Sequence, residues 1–173
     1  MTSLGLDRKI TPFIIKFINP LKGYFVKWAV WISTCGGIGY FPRFPGTIGS
    51  IAGLMLFLPF RTLPLFPYLV VLIVLFFLGV WTSSVSERFF KRKDASHIVI
   101  DEVLAVFFVS YFLPQTWSWL LAGLIVFRIF DIAKPPPIKI FEKLPGGWGV
   151  MADDVIAALY SLGLLHLVRV FIL

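Results

Sequence analysis

Five carboxylates stand at the edges of long apolar segments: Asp101 and Glu102 in IVIDEV, Asp131 in FRIFDIAKP, and Asp153 and Asp154 in GVMADDV. An acid at membrane depth is costly and tends to persist where it does a job. Clustered carboxylates in a chain with 2 His and 1 Cys favour a hard, oxygen-ligated ion such as Mg²⁺ over Zn²⁺ or copper. His97 and His166 lie far apart in the expected topology, and Cys35 alone offers no C-x-x-C spacing, so none is assigned as a ligand.

Asp101 and Glu102 follow Ile98, Val99 and Ile100 and precede an apolar run to Val109, which puts them about a turn inside a helix. Successive helical residues point about 100° apart, so the pair presents carboxylates to two neighbouring helices or to one shared ion. Asp131 lies three residues after Arg128 and three before Lys134, the spacing of an ion-pair ladder on one helix face. Pro135, Pro136 and Pro137 end that helix and restrict where Lys134 points, which suits a phosphate-binding lysine. Acids near helix starts also serve as caps. Asp94, Ser96, Asp153 and Asp154 are candidates for that role, with Asp94 expected to cap the third apolar helix.

The elements that must position these residues are membrane helices. The chain has 173 residues, is 58% hydrophobic and only 14% charged, and its mean hydropathy is +0.90; a soluble domain does not have this profile. The expected fold is all-α and integral to the membrane, a bundle of about five transmembrane helices with an N-terminal amphipathic interfacial helix. One domain covers residues 1–173: an interfacial helix and Gly/Pro loop over 1–45, and a transmembrane bundle over 46–173.

Ile10, Phe13, Ile14, Phe17 and Ile18 follow helical spacing and, with Lys9 and Lys16, describe the helix lying in the interface. The breaker-rich CGGIGYFPRFPGTIGS that comes later reads as a structured loop. Apolar spans are expected at about 46–63, 65–86, 98–113, 116–133 and 151–172, the first and third short for a bilayer. Gly49 and Gly53 form a GxxxG pattern that permits close helix contact. No cleavable signal peptide is expected, because Lys16, Asn19, Pro20, Lys22 and Lys27 interrupt the first apolar stretch.

Of the 16 Lys and Arg, only Arg61 and Arg169 fall on the side opposite the N-terminus, with Arg128 inside the fourth span. The positive-inside rule therefore places the N-terminus in the cytoplasm and the C-terminus outside. With this topology all 9 acids gather at the cytoplasmic surface. The net charge of +7 is then accounted for by orientation and anionic headgroups, without nucleic acid as a partner. There is no G-x-x-x-x-G-K-[ST] loop, which argues against P-loop nucleotide hydrolysis. GGWG at 146–149 precedes a helix and is a weak candidate for an anion-binding turn.

Three separated motifs, GIGYFPRFPGTIGS, DASHIVIDEV and FRIFDIAKPPPIKIFEKLPGGWGVMADDV, together resemble the phosphatidylglycerophosphatase A family over about residues 37–158. The resemblance implies an Mg²⁺-dependent phosphomonoesterase that converts phosphatidylglycerophosphate to phosphatidylglycerol and phosphate in phospholipid biosynthesis. It implies a multi-pass enzyme of the bacterial cytoplasmic (inner) membrane, with the N-terminus and active site cytoplasmic and its substrate drawn from the membrane lipids.

Pro45, Gly46, Thr47, Asp101, Glu102, Arg128, Asp131, Lys134, Pro135, Asp153 and Asp154 match the motifs. Asp101, Glu102, Asp131, Asp153 and Asp154 are expected to be catalytic and to hold one or two Mg²⁺. Arg43, Gly46, Thr47, Arg128 and Lys134 are expected to meet the phosphate. The chain departs from the family's frequent residues at Ala95, Ala105 and Ala158, which affects packing more than chemistry. The alternative is a small cation transporter or channel using the intramembrane carboxylates, but its path would require polar groups through the whole membrane depth.

Overall fold

The computed structural model describes residues 23–172. Among them every regular element is helical: α1 (23–33), α2 (Pro45–Phe57), α3 (Leu65–Phe90), α4 (Ile100–Tyr111), α5 (Trp117–Ala133), α6 (Ile138–Phe141) and α7 (Gly147–Ile172). The amphipathic helix expected over residues 10–18 lies outside the described residues. The five apolar segments all form helices close to their expected limits. Two of these, α3 and α7, are long and apolar enough to cross a membrane.

The centre of the molecule is α4. Its sequence is apolar nearly all round, as a helix enclosed on every side must be, and Val103 to Phe107 are all buried. It packs most extensively against α2, then α7, α5 and α3. At 12 residues it is about 18 Å long, well short of a hydrocarbon core of about 30 Å.

The α2–α4 contact depends on the GxxxG pair. A Cβ on Gly49 would stand 2.8 Å from Val99 Cβ, and one on Gly53 would stand 3.0 Å from Val103 Cα. Both helices approach through those gaps, the use to which small residues are put in membrane bundles. At the far end of α4, Tyr68 Oη donates to the Phe107 carbonyl at 2.8 Å and the Tyr68 ring stacks on Tyr111 at 3.7 Å.

Helix limits follow local chemistry. Pro45 occupies the first turn of α2, where its missing N–H removes nothing. Lys134 ends α5 in a left-handed conformation (φ 42), because the residue before Pro135 is kept out of the right-handed helical region. The outward faces of α3, α5 and α7 carry exposed Ile73, Phe77, Ile125, Ile129, Leu164 and Leu167. Such a surface is compatible with a lipid environment.

The capping expectations need correction. The N-cap of α4 is Val99 with no side-chain hydrogen bond, while Asp94 stands in a left-handed turn (φ 46) whose N–H donates to Glu87 Oε1 at 2.7 Å. Helix α7 starts at Gly147, so Asp153 and Asp154 lie beyond its first turn and cap nothing.

Candidate active site

Consecutive helices alternate in direction, so the start of α2, the end of α3, the start of α4, the end of α5 and the start of α7 meet at one end of the bundle. A cavity of about 430 Å³ opens there, lined by Gly46 and Thr47 from α2, Asp101 and Glu102 from α4, Arg128, Asp131 and Lys134 from the end of α5, and Asp153 and Asp154 from α7. Every candidate site residue except Arg43 lines it. Arg43 is exposed on the loop before α2, outside the lining.

Two of the five carboxylates accept hydrogen bonds from cations, and a third lies beside one. Arg128 Nη1 donates to Asp131 Oδ2 at 2.7 Å and stands 3.6 Å from Glu102 Oε1. Lys134 Nζ donates to Asp153 Oδ2 at 2.8 Å and lies 3.3 Å from Glu142 Oε2. The ladder expected along α5 is therefore only half formed: the left-handed turn at Lys134 sends its side chain across to α7. Burial works to lower the Lys134 pKa, but the hydrogen bond and charge of Asp153 outweigh it and hold the ammonium above the ordinary lysine value.

Of the other three, Asp101 and Asp154 have no cation partner, and Glu102 has only the longer contact of its Oε1 with Arg128. Oxygens of Asp101, Glu102 and Asp154 lie within 4.8 Å of one another, and Asp101 Oδ1, Glu102 Oε2 and Asp154 Oδ2 are buried without a hydrogen-bond partner. A buried polar atom left unpaired costs about 1–3 kcal/mol, more if charged, and three so close together suit a positively charged ligand. A donor set made only of carboxylate oxygens fits a hard divalent cation such as Mg²⁺ and does not fit a thiolate- or imidazole-preferring metal.

Gly46 closes the cavity against these groups. A Cβ there would run into Glu102 Oε1 and stand 2.9 Å from Arg128 Nη2, so only glycine lets the α2 backbone approach. Pro45 has no N–H and Ile48 N donates to the Phe44 carbonyl. The amides of Gly46 and Thr47 are thus first-turn donors with no partner inside the helix, the arrangement that receives anions at helix N-termini. Arg128 Nε is likewise buried without a partner.

The family profile described as phosphatidylglycerophosphatase A matches residues 31–169, a stretch that contains every residue lining the cavity. The chain belongs to the phosphatidylglycerophosphatase A family. Among curated relatives, phosphatidylglycerophosphatase A of Haemophilus influenzae is 37% identical over 147 residues, covering 83% of this chain and 90% of that protein. Phosphatidylglycerophosphatase A of Escherichia coli is 34% identical over 175 residues, covering 97% of this chain and 94% of that protein. A Bacteroides thetaiotaomicron protein named for a proposed phosphatidylinositol-3-phosphatase activity is 36% identical over 148 residues, covering 81% and 92%. No solved structure matches the chain.

Beside the family motifs, the cavity has lining residues that sequence reasoning did not assign to it: Asp94 and Ser96 from the α3–α4 loop, and Phe44 and Ile132 at the mouth. Asp94 and Ser96 sit within DASHIVIDEV, but their type and position fit capping equally well. Glu142, which pairs with Lys134, sits inside the third motif, but nothing beyond its charge marked it for the site. GGWG does not form an anion site: the Gly147 amide donates to Ser84 Oγ at 2.8 Å, and a Cβ on Gly147 would strike the Val80 carbonyl. His97 stacks on Phe90 at 5.0 Å, away from any ligand role.

Proposed function

We propose that this chain is an Mg²⁺-dependent phosphatase that hydrolyses phosphatidylglycerophosphate to phosphatidylglycerol and phosphate. The observation that carries the reading is the set of three unpartnered carboxylate oxygens beside unsatisfied donors of Arg128 and the α2 N-terminus. One part of the cavity thus suits a cation and the other a phosphate. Family membership and the names of the Haemophilus influenzae and Escherichia coli relatives support the substrate.

Asp101, Glu102 and Asp154 would hold the ion, with Asp131 and Asp153 kept in place by Arg128 and Lys134. When bound, Mg²⁺ supplies Lewis-acid stabilisation of negative charge on the phosphoryl oxygens. Arg128 and the Gly46 and Thr47 amides orient the phosphate, and Lys134, fixed as a cation, offsets its charge. Water attacks phosphorus as the ester P–O bond breaks. A cavity carboxylate takes the proton that water loses, and the departing alkoxide is protonated to the lipid alcohol.

The same reading sets the protein across the bacterial cytoplasmic membrane in five helical crossings, with the cavity on the cytoplasmic side. The lysine and arginine bias between loops supports that orientation. A transport pathway is not favoured, because below Glu102 the α4 core is closed by buried Val103, Val106 and Phe107 and offers no polar route.

Phosphate release from phosphatidylglycerophosphate and from phosphatidylinositol 3-phosphate, measured side by side on purified protein with Mg²⁺, tests the substrate. The proposal expects the first to be preferred. Turnover of the inositol lipid alone would transfer the assignment to that substrate.

A further inference from the structure

The polar cavity has two apolar posts at its mouth. Phe44, just before α2, is 77% exposed and Ile132, in the last turn of α5, is 73% exposed, and both line the cavity beside Gly46 and Asp131. Many apolar side chains face outward on this molecule. These two stand at the boundary between an apolar exterior and a cluster of charges.

Phe44 is held there against its backbone preference. It occupies the left-handed region (φ 56, ψ 51) with no side-chain capping bond, a conformation that a bulky L-residue rarely adopts and that glycine or asparagine would accept more easily. The turn needs this backbone shape, since the Phe44 carbonyl accepts from Ile48 N at 3.1 Å, but it does not need a phenyl ring. A ring kept at a strained, exposed position on the rim of a site has its explanation in what passes the rim.

The cavity size says what that is. About 430 Å³ lies at the low end of ligand pockets and accommodates a phosphorylated headgroup, so the acyl chains of an amphiphilic substrate stay outside and cross the rim. Resting on the proposed lipid phosphatase activity, we infer that Phe44 and Ile132 form an apolar gate that contacts the acyl-glycerol part of the substrate and sets the preference for lipid over water-soluble phosphate esters.

The test compares kcat/KM for phosphatidylglycerophosphate with kcat/KM for its fully deacylated counterpart, in wild type, Phe44→Gly, Phe44→Leu and Ile132→Ser. Thermal stability in detergent is measured alongside. Glycine relieves the backbone and removes the ring, so Phe44→Gly is expected to be at least as stable as wild type while its lipid-to-soluble ratio falls about tenfold, the scale of losing contact with one large apolar side chain. Phe44→Leu should restore most of the ratio, and Ile132→Ser should lower it. An unchanged ratio in Phe44→Gly and Ile132→Ser overturns the gate. Failure of wild type to release phosphate from the lipid instead overturns the activity on which the gate rests, so the two failures are distinct.

Discussion

Lys134, at the end of α5, donates a 2.8 Å hydrogen bond to Asp153 on α7, nineteen residues further along the chain. That one bond separates Asp153 from the neighbouring Asp154, whose Oδ2 has no partner. Adjacent aspartates of the same motif thus have different surroundings, one neutralised by Lys134 and one with an unpartnered oxygen.

Replacing Lys134 with Met leaves Asp153 buried without its cation. Removing one partner of a largely buried pair is expected to cost about 3 kcal/mol of stability, read as a lower unfolding midpoint in detergent. Because the folded-state pKa of Lys134 lies above the ordinary 10.5, its contribution is fully present below that value and is lost only as pH rises through the higher folded value. The gap between wild type and Lys134→Met should therefore not narrow from about pH 7 to pH 9. A gap that closes over that range contradicts the pairing.

Asp101→Asn, Glu102→Gln and Asp154→Asn each remove one negative charge from the cluster of carboxylates. Each is expected to lower turnover roughly a hundredfold or more and to abolish the rise in unfolding temperature that the proposed Mg²⁺ site would give the wild type. Without Mg²⁺, Asp101→Asn and Asp154→Asn should be at least as stable as wild type, because like charges buried together repel. Loss of stability in the absence of Mg²⁺ would point to structural roles instead.

Gly46→Ala places a methyl group against Glu102 and Arg128. Displacing reacting groups by about 1 Å costs on the order of a hundredfold in rate, while the helix keeps its fold since alanine is a good helix former. Activity should therefore fall about that much with little change in unfolding temperature. Near-normal turnover would remove the close approach from the account.

Cys35 sits in the turn after α1, where burial, aided by the charge of Glu102, pushes its thiol up from 9.0 to about 12. The thiolate is the reactive form. At about pH 8 the folded protein should react with iodoacetamide at least roughly a hundredfold more slowly than the protein unfolded in denaturant. Equal rates would show that the turn is open.

Much of this arrangement is legible in the sequence. Apolar runs locate the helices within a few residues, because a buried or lipid-facing segment admits little else. The errors are at polar ends. Helix α3 continues past residue 86 to Phe90, since Thr82 and Ser84 return their hydroxyls to the Leu78 and Val80 carbonyls and need no loop. Helix α7 starts at Gly147 instead of 151, because that glycine is required for contact with α3.

For the site, motif spacing brings the right side chains to one place but does not say which are paired. That division depends on the left-handed turn at Lys134 and on the approach of Gly46 to Glu102, both set by neighbouring helices. Arg43 and the GGWG turn show the converse: residue type and proximity in sequence fitted a phosphate, but Arg43 is exposed outside the cavity lining and Gly147 is engaged with α3.

The most direct test is phosphate release from phosphatidylglycerophosphate by the purified protein as Mg²⁺ is removed with chelator and then restored. The account predicts turnover that disappears with chelation and returns in full on adding Mg²⁺. Turnover that persists undiminished in chelator, or no release at any Mg²⁺ concentration, contradicts it.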